Sequence, residues 1–238
     1  MINMKNKFES VTFTNKGYIN FTHNLLESIN KNEVDINLNI NTLDKESYNF
    51  FKDKNTKVTF LKSESKHSEF LDQKSEEFGT LMIKKFECIY QSLLENELVL
   101  YIDGDIVIKR NFKNILIKKM ENLDFLFQND KNPKKPLQLN LCAGFMMIKS
   151  NKKTLKFFNP ETLPINKIIN YRTHDQTYII KNRAKFKYQT LPLDKFPNGP
   201  YFYENYKSFE PWMVHFNYVL GKEKENLMKK YNEWYLDE

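Results

Sequence analysis

The sequence predicts an α/β fold: a mainly parallel central sheet flanked by helices, followed by a mixed C-terminal half. In the first half, short runs typical of strands alternate with segments whose apolar residues have helical spacing. Alternation in this order is produced by β-α-β units, which place helices on both faces of a parallel sheet. The chain has 238 residues, 40% of them hydrophobic, which suits one domain with a sizeable core.

The first half contains four predicted strands and three predicted helices. Strands are expected where apolar residues form short or alternating runs, at 11–14, 35–40, 58–61 and 98–102. Helices are expected where apolar residues recur every three or four positions, at 18–30, 43–51 and 78–94. The fourth strand, LVLYI, is fully apolar and is therefore predicted to be a buried, central strand. Ligands of such sheets bind at the carboxyl ends of the strands.

The second half is less regular and is predicted to cover the first. Its expected elements are strands at 123–128 and 142–148, a polar loop at 131–136, a helix at 173–181, a turn-rich aromatic stretch at 196–206, a short extended piece around His215 and an amphipathic tail helix at 222–235. We expect a single domain over 1–238, with one half at about 1–110 and the other at about 111–238.

The charge of the chain is basic, with 37 Lys and Arg against 30 Asp and Glu. Nearly all of the cations are lysines spread along the chain, whereas base recognition in DNA relies on arginine forks. A nucleic-acid partner is therefore not expected. No apolar run approaches the length of a membrane span, and a cytosolic location is the expectation. The basic tail helix leaves peripheral contact with an anionic membrane open.

Two carboxylates follow the central strand directly, in the stretch Asp103-Gly104-Asp105. In an extended chain, side chains two residues apart point to the same side, so both can converge on one cation. Carboxylate oxygens suit Mn²⁺ or Mg²⁺, and the glycine leaves room for a ligand against the backbone. Two alternatives stay open. One is an acidic turn, and the other is an aspartyl nucleophile of the phosphatase type, which normally lies near the first strand.

His215 lies far downstream and offers an imidazole as a third ligand for Mn²⁺. Lys222 and Lys224 follow closely and can meet an anion that the metal holds. The alternative for His215 is a buried histidine whose ring bonds a backbone carbonyl.

Further polar or small residues stand at predicted strand ends and helix starts. Asn15 and Tyr18 follow the first strand, where a ring and an amide can hold a nucleobase. The small pair Ala143-Gly144 lets backbone approach a ligand. Each has a structural alternative, since turns and helix caps use the same residue types. The same holds for Asp175, which can cap the helix that begins near it.

In their order along the chain, these motifs resemble the GT-A (Rossmann-like) fold nucleotide-diphospho-sugar transferases. The resemblance is to small DxD glycosyltransferases related to retaining galactosyl- and xylosyltransferases. The matching segments are Thr14 to Tyr18, Asp103-Gly104-Asp105, Phe127-Gln128-x-Asp130, Cys142-Ala143-Gly144-Phe145, Asp175-Gln176, Phe196-Pro197-Asn198-Gly199, His215-Phe216-Asn217, Gly221 and Lys224.

The resemblance implies a metal-dependent transfer of a sugar from a UDP-sugar to a hydroxyl acceptor on a glycan, glycoprotein or glycolipid. Asp103, Asp105 and His215 would bind the metal, with Asp103 also approaching the ribose. Lys224, with Lys222, would touch the diphosphate.

The resemblance also implies how the rest of the donor is held. Thr14, Asn15 and Tyr18 would hold the nucleobase and ribose. Lys84 or Lys85, on the helix before the DxD strand, would approach the donor sugar.

The reacting end of the donor would meet a second group of residues. Asp130, Asp175 and the Ala143-Gly144 backbone would bind sugar hydroxyls. Gln176 would lie on the β face of the anomeric carbon. A neutral amide is a poor nucleophile, which favours same-face attack over a covalent intermediate. A relative that binds a nucleotide or glycan without catalysis is the alternative function.

Overall fold

The computed structural model describes residues 6–61, 76–131, 140–170 and 174–236. The strands are β1 (Asn6–Thr14), β2 (Leu38–Thr42), β3 (Lys57–Phe60), β4 (Asn96–Ile102), β5 (Ile106–Ile108), β6 (Phe125–Asn129), β7 (Leu141–Lys149), β8 (Tyr188–Thr190) and β9 (Met213–His215). The helices are α1 (Ile19–Lys31), α2 (Lys45–Phe51), α3 (Glu76–Glu95), α4 (Lys113–Lys119), α5 (Lys152–Phe158), α6 (Ile165–Ile169), α7 (His174–Asn182), α8 (Gly199–Asn205) and α9 (Gly221–Lys230).

Seven strands form the main sheet, in the order β3-β2-β1-β4-β7-β6-β8. The strands of the first half, β1 to β4, pair with one another in parallel. Strand β7 is antiparallel to both β4 and β6, so the second half of the sheet is mixed. The predicted α/β class, with a mainly parallel sheet and a mixed second half, is confirmed.

Strand β4 is the middle strand of the sheet, and its side chains enter two cores. Leu98, Leu100 and Ile102 pack on the face that α1 covers, while Val99 and Tyr101 pack on the face that α3 covers. Because a strand presents alternate residues to opposite faces, an unbroken apolar run is what a strand between two helical layers requires. The chain that follows Ile102 therefore leaves the sheet from a strand that is packed on both faces.

A second, two-stranded sheet extends beyond the end of β4. Strand β5 begins immediately after Asp105 and pairs antiparallel with β9. Its register sets Ile106 opposite His215. The backbone N–H of Phe216 also donates to the carbonyl of Asp105, at 3.1 Å. Main-chain pairing thus brings a histidine from the end of the chain beside the second carboxylate of the DGD stretch.

Several element boundaries differ from the predictions. The first strand begins at Asn6 and not at residue 11, because its pairing with β4 starts there. The second strand covers 38–42 and not 35–40, because its pairing with β1 starts at Leu38. The tail helix ends at Lys230, since Asn232 turns left-handed (φ 58°) and the Glu233 N–H closes on the Met228 carbonyl. The stretch at 196–206, predicted to be rich in turns, contains α8, and the Asn198 side chain caps the start of this helix.

Several short elements had no sequence signal strong enough to predict them. These are β5, β8, α4, α5 and α6, of three to seven residues each. Periodicity needs a longer window than elements of this length provide. Of the predicted loop at 131–136 only Lys131 is described, and the first residue of the predicted helix, Thr173, also lies outside the described residues. Among the described helices, none is both long and apolar enough to cross a membrane.

Candidate active site

A cavity of about 270 Å³ opens at the carboxyl ends of β1 and β4. Most of the predicted site residues line it: Thr14, Asn15, Tyr18, Lys85, Asp103, Gly104, Asp105, Asp130, Ala143, Gly144, Asp175, Gln176, His215 and Lys224. Lys84 and Lys222 are also described and lie outside the lining, each paired with a glutamate on its own helix. Of each predicted lysine pair, one member therefore faces the cavity.

The two carboxylates of the DGD stretch converge through a turn. Asp103 and Asp105 are not in extended chain, as the two-residue spacing suggested, because the Ile106 N–H closes on the Asp103 carbonyl at 3.2 Å. The turn still directs both side chains toward His215. One ligand atom from each of the three residues lies within 4.8 Å of the others. Two carboxylates and an imidazole form a donor set that suits a divalent ion such as Mn²⁺.

Two glycines leave the space in which this cluster forms. A Cβ on Gly104 would lie 2.6 Å from the Thr22 hydroxyl, so a side chain at this position would displace the Thr22 side chain of helix α1. A Cβ on Gly144 would lie 2.4 Å from an Asp103 oxygen and 2.5 Å from the His215 ring. All three distances are shorter than non-bonded atoms can approach, so the neighbouring side chains would have to move. The glycines are required here by close packing.

The orientation of the His215 ring is fixed by Gln128. The Gln128 amide nitrogen donates to the carbonyls of Phe196 and Pro197, at 3.2 and 2.8 Å, which turns its oxygen toward the histidine. That oxygen lies 2.7 Å from Nδ1, so Nδ1 is the protonated donor. The Cys142 sulfur is 3.5 Å from the same nitrogen. Nε2 is left facing Asp105, at 3.2 Å. Such an outer partner is what orients a metal-binding histidine.

Asp105 is a buried carboxylate that two cations compensate. Burial alone would raise its pKa, but the Lys224 ammonium and the His215 ring outweigh burial and hold the pKa well below its usual range. Lys224 is itself buried and forms an ion pair with the Oδ2 atom. The Asp105 charge raises the pKa of His215 well above its usual value, against the effect of burial. The Asp105 carboxylate therefore favours the protonated ring, with Nε2 as the donor toward it.

Lys85 is a second buried cation, on the opposite side of the cluster. Its ammonium lies 2.8 Å from Asp175 and 3.4 Å from Asp103, and 4.4 Å from the centre of the Tyr101 ring. Burial would lower its pKa, yet the two carboxylates raise it above the usual value. The Tyr101 hydroxyl donates to the same Asp103 oxygen at 2.7 Å. Helix α3 thus links the DGD turn to the start of α7.

Asp130 is the centre of a hydrogen-bond network in which all four donors are neutral groups. Its Oδ1 atom accepts from the amides of Asn198 and Asn217, at 3.1 and 3.0 Å. Its Oδ2 atom accepts from the Gln176 amide at 3.1 Å and from the Tyr218 hydroxyl at 2.8 Å. A carboxylate has about four acceptor positions, so this one is saturated.

The network also fixes the Gln176 side chain. With its nitrogen on Asp130, its oxygen accepts from the Ala143 N–H at 3.2 Å. Tyr218 reaches the network from a left-handed backbone (φ 67°), a conformation that costs a residue with a Cβ about 1 kcal/mol or more. Burial and the neighbouring Asp130 raise the pKa of Tyr218, so its hydroxyl stays protonated as a donor.

Several residues that support the candidate site had no role predicted from the sequence. Gln128 and Asn198 stood in the quoted motifs without a role, and Tyr101 was read only as part of an apolar strand. Tyr218 carried no signal, because one tyrosine after a strand is ordinary until its backbone conformation is known. The polar character of Gln128 at the end of an apolar strand was the one available clue.

Replacing Lys85 by Met is expected to destabilise the protein strongly. It would leave Asp103 and Asp175 without the cation between them, and removing one partner of a buried pair costs about 3 kcal/mol. The matched control is Lys84→Met, whose lysine is a quarter exposed and pairs with Glu87, and which should change the free energy of unfolding by less than about 0.5 kcal/mol. Urea denaturation at neutral pH measures both. Equal effects of the two substitutions would contradict the assigned geometry.

Comparison with known proteins adds the family to this geometry. Residues 35–228 match the family model described as nucleotide-diphospho-sugar transferase. A UDP-galactose:fucoside alpha-3-galactosyltransferase of Dictyostelium discoideum is 27% identical in an alignment of 167 residues that covers 59% of this chain. The chain spans about a quarter (26%) of the length of that relative.

Solved structures share the fold at low sequence identity. The galactosyltransferase LgtC, solved with donor and acceptor sugar analogs, superposes with a TM-score of 0.64 at 9% identity, over 95% of each chain. The glycosyltransferase GlyE of Streptococcus pneumoniae TIGR4 gives 0.60 at 14% identity, over 99% of this chain and 61% of GlyE. The predicted GT-A fold is confirmed by these neighbours. With the family match covering most of the chain, this chain belongs to the nucleotide-diphospho-sugar transferase family.

Proposed function

We propose that the chain is a divalent-metal-dependent, retaining glycosyltransferase that moves a sugar from a UDP-sugar to a hydroxyl acceptor. The observation that carries the proposal is the convergence of Asp103, Asp105 and His215 within 4.8 Å in a cavity with two buried lysines. Such a cluster can bind the nucleotide diphosphate, which is the leaving group of the transfer reaction. Residues of the first half, about 1–110, would supply most contacts to the nucleotide, and those of 111–238 most contacts to the sugar and acceptor, with Lys85, His215 and Lys224 as the exceptions.

The residues present fit a divalent ion. The donor set is two carboxylates and an imidazole whose Nε2 is directed inward by Gln128, and Gly144 leaves open the space that a Cβ would fill. Asp103, Asp105 and His215 would hold Mn²⁺ or Mg²⁺. When bound, the ion stabilises negative charge on the diphosphate leaving group, typically by several kcal/mol.

Lys224 and the end of β1 would hold the nucleotide. Lys224 is the buried cation next to Asp105, so it is the residue we assign to the diphosphate in preference to the exposed Lys222. Thr14, Asn15 and Tyr18 line the same cavity after β1 and would contact the nucleobase and ribose.

At the sugar end, the buried ion pair of Lys85 with Asp175 would bind donor-sugar hydroxyls, with Asp175 accepting through Oδ1. We assign Asp130 the role of a positioning residue, because its acceptor positions are taken by four neutral donors. Gln176 would lie beside the anomeric carbon, held between Asp130 and the Ala143 N–H.

This arrangement supports same-face attack for retention. Asp175 is paired with a lysine, Asp130 is saturated and Gln176 is a neutral amide, so each is a poor nucleophile. The residues would instead keep the donor oriented, exclude water and hold the acceptor hydroxyl on the face that the diphosphate leaves.

The first donor to test is UDP-galactose, because the D. discoideum relative is described as using it. A glycan, glycoprotein or glycolipid is proposed as the acceptor. A cytosolic location, with peripheral membrane contact through the basic α9, remains part of the proposal.

Asp105→Asn is expected to weaken Mn²⁺-dependent UDP binding by about 100-fold or more and to abolish transfer from UDP-galactose. The substitution removes a ligand charge and leaves Lys224 and protonated His215 without their partner. Calorimetric titration of UDP, with Mn²⁺ and with EDTA, measures the effect. Asp35→Asn, at an exposed carboxylate paired with Lys113, is the control. UDP binding with unchanged metal dependence in the Asp105 variant would refute the metal assignment. Intact binding by the parent without transfer or hydrolysis would indicate a non-catalytic relative.

Gly144→Ala is expected to weaken Mn²⁺ binding by about tenfold or more, although alanine adds one methyl group. That group would lie 2.4 Å from Asp103 and 2.5 Å from His215, so the two ligands must move apart. Gly221→Ala is the stability control, because it strains a left-handed backbone (φ 51°) in open space. Mn²⁺ titration followed by electron paramagnetic resonance measures free ion in both. A Gly144 variant that binds Mn²⁺ like the parent would show that the ligands lie elsewhere.

A further inference from the structure

Tyr218 combines three properties that its neighbours do not share. Among the described residues it is the most exposed of the large apolar side chains, at 54%, and the only one of those exposed side chains that lines the cavity. Its backbone is left-handed, where a residue without Cβ would be unstrained. Its hydroxyl nevertheless reaches the buried Asp130 at 2.8 Å. A strained, exposed residue anchored in a site calls for a functional explanation.

The strand order places Tyr218 at one end of the cavity. Thr14 and Asn15 follow β1, the DGD turn follows β4, and Asp130 follows β6, which lies two strands beyond β4. With neighbouring strands about 4.8 Å apart, Asp130 is separated from the β1 end by roughly 14 Å. The Tyr218 hydroxyl is hydrogen-bonded to Asp130. The residues assigned to the nucleobase and Tyr218 therefore lie on opposite sides of the DGD turn.

The ring is held in place before any ligand arrives. Its hydroxyl is bonded at one end, and its backbone is fixed at the other because the preceding Asn217 also donates to Asp130. A fixed aromatic ring with an exposed face offers apolar contact at a low entropic cost. The C–H face of a pyranose is the apolar surface that matches it, and the neighbouring amides supply polar groups for the hydroxyls around it.

We propose that Tyr218 is an acceptor-specificity residue whose exposed ring face stacks on a sugar ring of the acceptor. The inference rests on the proposed transferase function and extends it. It states that the part of the acceptor that enters the cavity is a sugar. Asp130 then orients two side chains. It holds the Gln176 amide, and by accepting from the Tyr218 hydroxyl it also fixes the orientation of the Tyr218 ring relative to Gln176.

The test compares Tyr218→Gly, which removes the ring and the backbone strain, with Tyr218→Phe, which keeps the ring and loses its anchor. Asn232→Gly is the matched control, since it relieves a similar left-handed strain (φ 58°) outside the cavity lining. UDP-galactose serves as donor, a panel of methyl glycosides that includes methyl α-fucoside serves as acceptor, and KM is measured for each.

In Tyr218→Gly, the KM for the acceptor should rise at least about tenfold more than the KM for UDP-galactose. Tyr218→Phe should keep most of the acceptor affinity, and Asn232→Gly should match the parent. Equal changes in both KM values, or no change, would overturn the proposal. A glycan array gives an independent readout: loss of parent-bound glycans in Tyr218→Gly supports it, while equal retention or a parent that retains none overturns it. Failure of the parent to bind UDP with Mn²⁺ counts against the transferase function itself.

Discussion

The site depends on one costly interaction, the burial of the Asp105 carboxylate at the end of the central strand. An unpaired charge at this position would not be tolerated, because an isolated buried carboxylate loses far more in hydration than packing returns. The chain compensates with two cations from its last quarter, His215 and Lys224. Folding of the C-terminal part onto the first half is therefore coupled to the completion of the site.

The backbone, more than the side chains, sets the geometry of the cluster. Pairing of β5 with β9 brings His215 opposite Ile106, and the turn after β4 sets the two carboxylates. Gly104 lets α1 pack against that turn, and Gly144 leaves the space between Asp103 and His215. Gln128 then fixes the tautomer and the rotation of the imidazole ring. The three side chains are therefore held close together before a cation binds, and binding requires that Lys224 and the Nε2 proton of His215 leave Asp105.

The sequence predicted that Asp103 and Asp105 lie together because their proximity is local, and it was weaker where the structure depends on distant pairing. A DxD motif after an apolar strand indicates a metal site from fifteen residues of sequence. The pairing that brings His215 to it spans more than a hundred residues, and residue chemistry alone left a buried structural histidine as the alternative. The reason given for convergence was wrong, since the DGD stretch is a turn. Gln128 and Tyr218 act through orientation and backbone conformation, which a list of residue types does not contain.

The most direct test of the account is the position of the metal. Crystals grown with Mn²⁺ and UDP should give one anomalous-difference peak, within about 2.0–2.3 Å of oxygens of Asp103 and Asp105 and of the Nε2 atom of His215. The Lys224 ammonium should then turn from Asp105 toward the diphosphate. A peak that lies away from these three residues, or ordered UDP without any peak, would contradict the central claim.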